Sequence, residues 1–273
     1  MGTPGMPNFH GRQLLRELKR LREQTGMTQD EAGTRLHLTL QKLSRIENGQ
    51  LPGYHETRAM LKLYGLTPEQ CAPYLEQWER ARKRGWWRQY GLRDSSYVCM
   101  EQEASRMFEF QLGRLPALLQ TESYARRCLC AAVPACDAKE VEAAVAVRTR
   151  RQERLFDGEK PLVLHALVHE PTLCQGVDRE QLILLVERAQ MPNVTVRIVP
   201  QSAGPHSGLD GSVILLDFDD PQEPDIVFTD TVLGLAQSQD DSRTSAVRMT
   251  LEDLAARALS PEDSLDTLKS MIA

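Results

Sequence analysis

Residues 26–49, GMTQDEAGTRLHLTLQKLSRIENG, carry dense helix punctuation and leave few ways to fold. Gly26 stops the helix before it, as a left-handed cap requires. Thr28 then caps a new helix, and Glu31 three places on completes a capping box. That helix, Gln29 to Leu36, is short. Only a few residues around His37 and Leu38 separate it from a second, Thr39 to about Asn48, which turns Leu43 and Ile46 inward and ends at Gly49. Upstream, Leu14, Leu15, Leu18 and Leu21 form one apolar stripe with Arg16, Lys19, Arg20 and Arg22 between them. Downstream, Arg58 to Tyr64 closes at Gly65. Thr67 caps a further helix, with Pro68 at its first position and Gln70 three on, running through Trp78 to about Lys83.

Two short helices about a tight joint form a helix-turn-helix, whose second helix lies in the major groove with its early side chains on base edges. The string 26–49 resembles the Xre/Cro-like repressors continuously, most specifically in Gly-Met-Thr-Gln and Arg-Ile-Glu-Asn-Gly. The resemblance implies a five-helix module with roles by position. Gln29 matches a residue that bonds a phosphate and steadies the base readers. Leu40, Gln41, Ser44 and Arg45 match groove-facing positions, Thr39 and Lys42 positions that reach phosphate, and Arg22 with Glu47 an ion pair between the first and recognition helices. The chemistry agrees: Gln41 can pair bidentately with adenine and Arg45 with guanine, while Leu40 offers apolar contact and Lys42 adds salt-dependent affinity. The family prefers Ala where Gly33 stands and Gly where His37 stands, so the turn asks His37 for a left-handed backbone.

Charge divides the chain. Residues 1–94 carry a balance of +6 and the remainder −11, a basic front expected of a nucleic-acid module and an acidic back that repels phosphate. At the junction, RARKRGWWRQYGLR (80–93) gathers six basic residues around Trp86, Trp87 and Tyr90. Either the run lies on the DNA backbone or its aromatics dock on the second domain; tryptophan pairs favour docking. The expected boundaries are 1–79 for the helix-turn-helix domain, 80–97 for a basic, aromatic linker and 98–273 for a second domain.

That second domain reads as α+β. Helices are expected over Glu101–Gly113, Thr121–Cys130, Ala138–Phe156 and Asp178–Gln190, with Arg148, Arg150, Arg151 and Arg154 on a solvated outer face. Strands are expected over Leu162–His169, Val194–Val199, Ser212–Phe218 and Asp225–Thr229, a small sheet of about four strands with flanking helices. Thr250 and Ser260 cap two closing helices. The segments LPALLQTESYAR (115–126), VRTRRQERL (147–155) and VTVRIVPQSAGPHSG (194–208) resemble actinobacterial Xre regulators of the WhiJ-like type, with Pro116-Ala117 in place of their Pro-Gly. Such regulators carry a C-terminal domain of unknown function, and the resemblance implies a small BldB-like partner protein.

Signs of catalysis are weak. His165, His169 and Glu170 stand in the wrong order for a zincin, on a segment that reads as a strand. His206, in a Gly-Pro-His-Ser-Gly loop, is the one candidate ligand contact, although a lone histidine more often caps a turn. Asp217, Asp219 and Asp220 read as an acidic turn. Cys128, Cys130 and Cys136 lack the paired spacing of a zinc site, and all six cysteines are expected to be reduced. No phosphate loop or nucleophile elbow is present. The first ten residues lack the apolar core of a secretory signal, and Met6 stands where a myristoylation pattern needs Ser or Thr, so a cytoplasmic location is expected. The expectation is therefore a dimeric, sequence-specific regulator of transcription that binds double-stranded DNA. It is no enzyme, has no cofactor or metal, and receives a small-protein or ligand signal through its C-terminal domain. The competing reading is an antitoxin-like module that sequesters a small partner and autoregulates its operon.

Overall fold

The computed structural model describes residues 7–83, 85–92, 97–131, 137–231 and 234–272. The chain divides into two compact units, Met1–Met100 and Glu101–Ala273.

The first unit contains α1 (Phe9–Gln24), α2 (Gln29–Leu36), α3 (Leu40–Glu47), α4 (Tyr54–Leu63) and α5 (Pro68–Arg82). At the starts of α1, α2, α3 and α5 the side-chain oxygens of Asn8, Thr28, Thr39 and Thr67 accept the backbone N–H groups of Gly11, Glu31, Lys42 and Gln70 respectively. The leucine stripe of α1 meets Leu43 and Ile46 of α3 and Met60 and Leu61 of α4 in one apolar core. Trp78 closes it, donating its indole N–H to the Pro52 carbonyl at 2.8 Å. Helix α4 begins four residues before the expected Arg58, because the Glu56 carboxylate reaches back to the Gly53 N–H at 2.7 Å. Beyond α5, Trp87 is buried and lies edge-on to Trp86, with ring centroids 6.1 Å apart.

The second unit is built on a mixed sheet of six strands, not about four, in the order β3-β2-β1-β4-β5-β6. The strands are β1 (Arg106–Gln111), β2 (Val163–His169), β3 (Val194–Val199), β4 (Ser212–Asp217), β5 (Ile226–Thr231) and β6 (Gly234–Ser238). The first three are parallel; β1 runs antiparallel to β4, and β4, β5 and β6 follow as an antiparallel meander. Among the described residues the remaining α-helices are α6 (Tyr97–Glu103), α7 (Glu122–Cys130), α8 (Ala138–Gln152), α9 (Arg179–Ala189), α10 (Asp241–Arg257) and α11 (Pro261–Ser270), with short 3-10 turns between elements.

Two strands escaped the sequence reading for different reasons. The helix expected over Glu101–Gly113 stops at Glu103, and β1 follows at the centre of the sheet. Its Glu and Gln suit a helix locally, but pairing with β2 on one side and β4 on the other overrides that preference. Strand β6 is short, has no β-branched residue and is mostly exposed, so it carries no pattern. Helix α10 starts after Asp240, whose carboxylate accepts the Arg243 N–H at 3.1 Å; Thr250 lies inside it and caps nothing. Ser260 does cap α11.

One face of the sheet presents Phe110, Leu167, Val213, Leu215 and Val227 to Leu251 and Leu254 of α10. The arginines of α8 correct another expectation. Arg150 is exposed, but Arg151 is buried against Glu101 in a bidentate pair with both contacts at 2.6 Å. Arg154 is buried with its guanidinium on the carbonyls of Ala104 and Lys160, and half-buried Arg148 donates to Gln120 at 2.7 Å. Burial pulls the pKa of both Arg148 and Arg154 down. This is a polar interior, not a solvated stripe.

Candidate nucleic-acid interface

Helices α2 and α3 are set against each other by a joint of three residues, His37 to Thr39. His37 has φ 54° and ψ 33°, the one left-handed non-glycine backbone among the described residues. Such a conformation costs about 1–2 kcal/mol for an L-residue. Gly33 makes the joint compact. A Cβ there would lie 2.9 Å from the Leu38 carbonyl oxygen, and the Leu38 N–H bonds the Gly33 carbonyl at 2.8 Å. The two departures from the resembling family, Gly33 and His37, thus belong to one turn.

The base of α3 is fixed from below. Glu47, its side chain 2% exposed, accepts Arg22 Nε at 2.6 Å and Arg22 Nη2 at 3.0 Å. Arg22 also donates to the Met27 carbonyl at 2.7 Å. The Glu47 hydrogen bond holds the Arg22 guanidinium above the usual arginine range. Gln29 donates to the same carboxylate at 2.7 Å, which ties the start of α2 to the end of α3. One carboxylate therefore fixes three helices.

Above this base, Gln29, Leu40, Gln41, Ser44 and Arg45 line a single open depression. Leu40 is 49% exposed, so its side chain is open to an apolar contact. Gln41 and Arg45 are exposed and one turn apart, and Arg45 Nε leans back on the Gln41 carbonyl at 3.3 Å. Asn48 donates to both the carbonyl and the hydroxyl of Ser44, so that hydroxyl retains its own proton to give. Thr39 and Lys42 lie outside the depression lining: Thr39 caps α3, and Lys42 Nζ stands 3.5 Å from Glu56. The sequence reading passed over Glu56. Its signal was the three-residue spacing from Gly53, the same spacing that identified Glu31. We expect Glu56→Gln, which retains an acceptor for Gly53, to free Lys42 and steepen the salt dependence of DNA binding by about one counterion. An unchanged slope in a salt titration would refute this.

The histidines of the second unit do not converge on a metal. His165 stacks on Phe108 at 4.3 Å, and His169 meets His206 edge-on at 5.8 Å. Burial and the neighbouring His206 pull the His169 pKa down. Glu170 accepts the Gln201 N–H at 2.7 Å. Asp217 is buried and paired with Arg248 at 2.8 Å, and Asp219 faces Lys160 at 3.8 Å. Cys128 and Cys130 are free thiols; Cys136 lies outside the described residues. No group of three or more His, Cys, Asp or Glu among the described residues can hold a metal ion.

A helix-turn-helix domain profile matches residues 13–73, and the profile of a domain of unknown function, DUF5753, matches residues 95–270. The chain belongs to the DUF5753 family. No curated protein and no solved structure matches it. The matches divide the chain by role: a DNA-binding helix-turn-helix carries the depression on α2 and α3, and the DUF5753 domain carries the sheet, its polar interior and the histidines. Among the described residues, no helix is long and apolar enough to cross a membrane.

Proposed function

We propose that this DUF5753 protein is a cytoplasmic, sequence-specific regulator of transcription of the WhiJ-like type. It acts as a dimer, places two α3 helices about 34 Å apart on one face of DNA, and performs no catalysis. Gln41 and Arg45 read base edges, Leu40 packs on a thymine methyl, Ser44 donates to a base or phosphate, and Gln29, Thr39 and Lys42 engage the backbone. The DUF5753 domain supplies the dimer contact and receives a small protein of the BldB-like kind or a ligand near His206.

The observation that carries the reading is the convergence of Gln29, Leu40, Gln41, Ser44 and Arg45 on one open surface, with Glu47 beneath it. Apolar Leu40 beside amide, hydroxyl and guanidinium donors matches the mixed chemistry of a major-groove floor. Genome-wide binding-site mapping with wild type and Arg45→Ala tests it. The variant is expected to lose about 1–3 kcal/mol of discrimination at one base pair and to keep non-specific binding, whereas Lys42→Ala weakens all sites alike. Full site preference in Arg45→Ala would refute the assignment of the readers.

A further inference from the structure

The six-stranded sheet has two edges, and the chain treats them differently. The β3 edge is sealed. Leu259 donates its N–H to the Ile198 carbonyl at 2.8 Å, the Ser264 hydroxyl accepts the Ile198 N–H at 3.0 Å, and Arg197 holds the carbonyls of Ala258 and Leu259. The β6 edge has no such cover among the described residues. Folded proteins guard an open edge with a charge, a proline, a bulge or a covering segment. Strand β6, Gly-Leu-Ala-Gln-Ser, contains neither charge nor proline, and its register with β5 runs unbroken from Thr231↔Gly234 to Val227↔Ser238. Four of its five residues are exposed, with Leu235 at 44%.

The charges beside this edge select its occupant. Asp230 lies directly across from Leu235 on β5, and directly opposed residues share a face of the sheet. Asp240 and Asp241 follow β6 and are exposed. The hydroxyl of Ser242 and the Arg243 N–H hold the Asp240 carboxyl below the usual range, so it stays ionised. Arg243 is the only basic residue between Asp230 and Ser245 in the sequence, and across the fold Asp230 also faces Arg148, which is half-buried and donates to Gln120 at 2.7 Å. A second copy pairing antiparallel through β6 would bring its Asp240 and Asp241 beside the Asp230 end of the first, acid against acid. The strand is also too short to bury the roughly 1,200 Å² of a stable dimer by itself.

We propose that β6 accepts an extended, basic segment of a partner protein as a seventh strand. Main-chain hydrogen bonds supply the pairing, Lys or Arg side chains share the Leu235 face with Asp230 and lay their methylene stems over Leu235, and the exposed Asp240–Asp241 end adds attraction for a basic segment. This rests on the reading of the DUF5753 domain as the receiver of a protein signal and gives that signal a docking place.

Hydrogen exchange on the full chain tests it with three synthetic probes: a short peptide alternating Lys and Val, its Asp–Val counterpart, and the Lys–Val peptide with a central proline. The Lys–Val peptide is expected to slow exchange over 234–238 by about tenfold or more, less so as salt rises, and the other two to leave it unchanged. Ala236→Pro should abolish the protection. Asp230→Asn combined with Asp241→Asn, which leaves the strand intact, should weaken it. Equal protection by the Asp–Val peptide, or protection that grows with protein concentration alone, overturns the proposal. So does peptide binding that slows exchange only elsewhere in the DUF5753 domain, although reception of a protein signal then survives. Operator binding by the same sample is measured separately, so a failure of the regulator reading is distinguishable from a failure of the edge.

Discussion

Glu47→Ala is expected to destabilise the helix-turn-helix unit by about 3–5 kcal/mol, because it strands the largely buried Arg22 guanidinium with only the Met27 carbonyl and Glu23 as partners. The readout is fluorescence during urea unfolding: all three tryptophans, Trp78, Trp86 and Trp87, lie in the first unit, and Trp78 closes its core. Combining Arg22→Met with Glu47→Leu removes both charges and keeps apolar bulk. Most of the lost stability should return. DNA affinity should not return, because Gln29 then has nothing to hold it against the end of α3. A loss below about 1 kcal/mol in Glu47→Ala would show that the network is no anchor, and restored operator binding in the double variant would show that Gln29 needs no support.

The second large effect lies in the sheet. Glu109, on central strand β1, is 1% exposed, and Ala166 and Ile214 flank it on the neighbouring strands. Gln111 donates to Oε2 at 2.8 Å, while Oε1 has no hydrogen-bond partner. Burial, above all, pushes its pKa up to about 7; Glu101 adds repulsion, opposed by Gln111 and Arg151. The folded form therefore holds its proton where the unfolded form has released it. Stability contributed by the protonated state is complete below the unfolded value of 4.5 and is lost as pH rises through about 7. The full difference is about 3 kcal/mol. Glu109→Gln should accordingly match wild type near pH 4.5 and exceed it by about 3 kcal/mol above pH 8, measured by hydrogen exchange of the β1 and β2 amides. An equal difference at both pH values would mean that Glu109 does not titrate in this range.

These two residues also mark the limits of sequence reading. The pairing of Glu47 with Arg22 was implied only by the resemblance, while the helix ends around it follow a local grammar: Thr28 with Glu31, Thr39 before α3, Gly26 and Gly49 after their helices. Caps act over three or four residues, so the order of the chain suffices to place them. The depression of Gln29, Leu40, Gln41, Ser44 and Arg45 follows from the same helix ends plus one joint. Lys42 was placed on the right helix, but its pairing with Glu56 crosses to α4 and had no local sign beyond the Gly53 cap.

The second unit was legible where apolar or β-branched runs stood out, in β2, β3, β4, β5 and α9. By itself the sequence determined the helix-turn-helix, the acidic back and the α+β class, since each depends on composition or on spacing within a few turns. Tertiary structure alone decided that Glu101–Gly113 would split into α6 and β1, that Glu109 would sit dry between two strands, that Arg148, Arg151 and Arg154 would point inward, and that β6 would form an open edge. Each of these rests on pairing or packing between residues far apart in the chain. A residue's neighbours along the sequence do not report whether its side chain faces water or another layer of the fold.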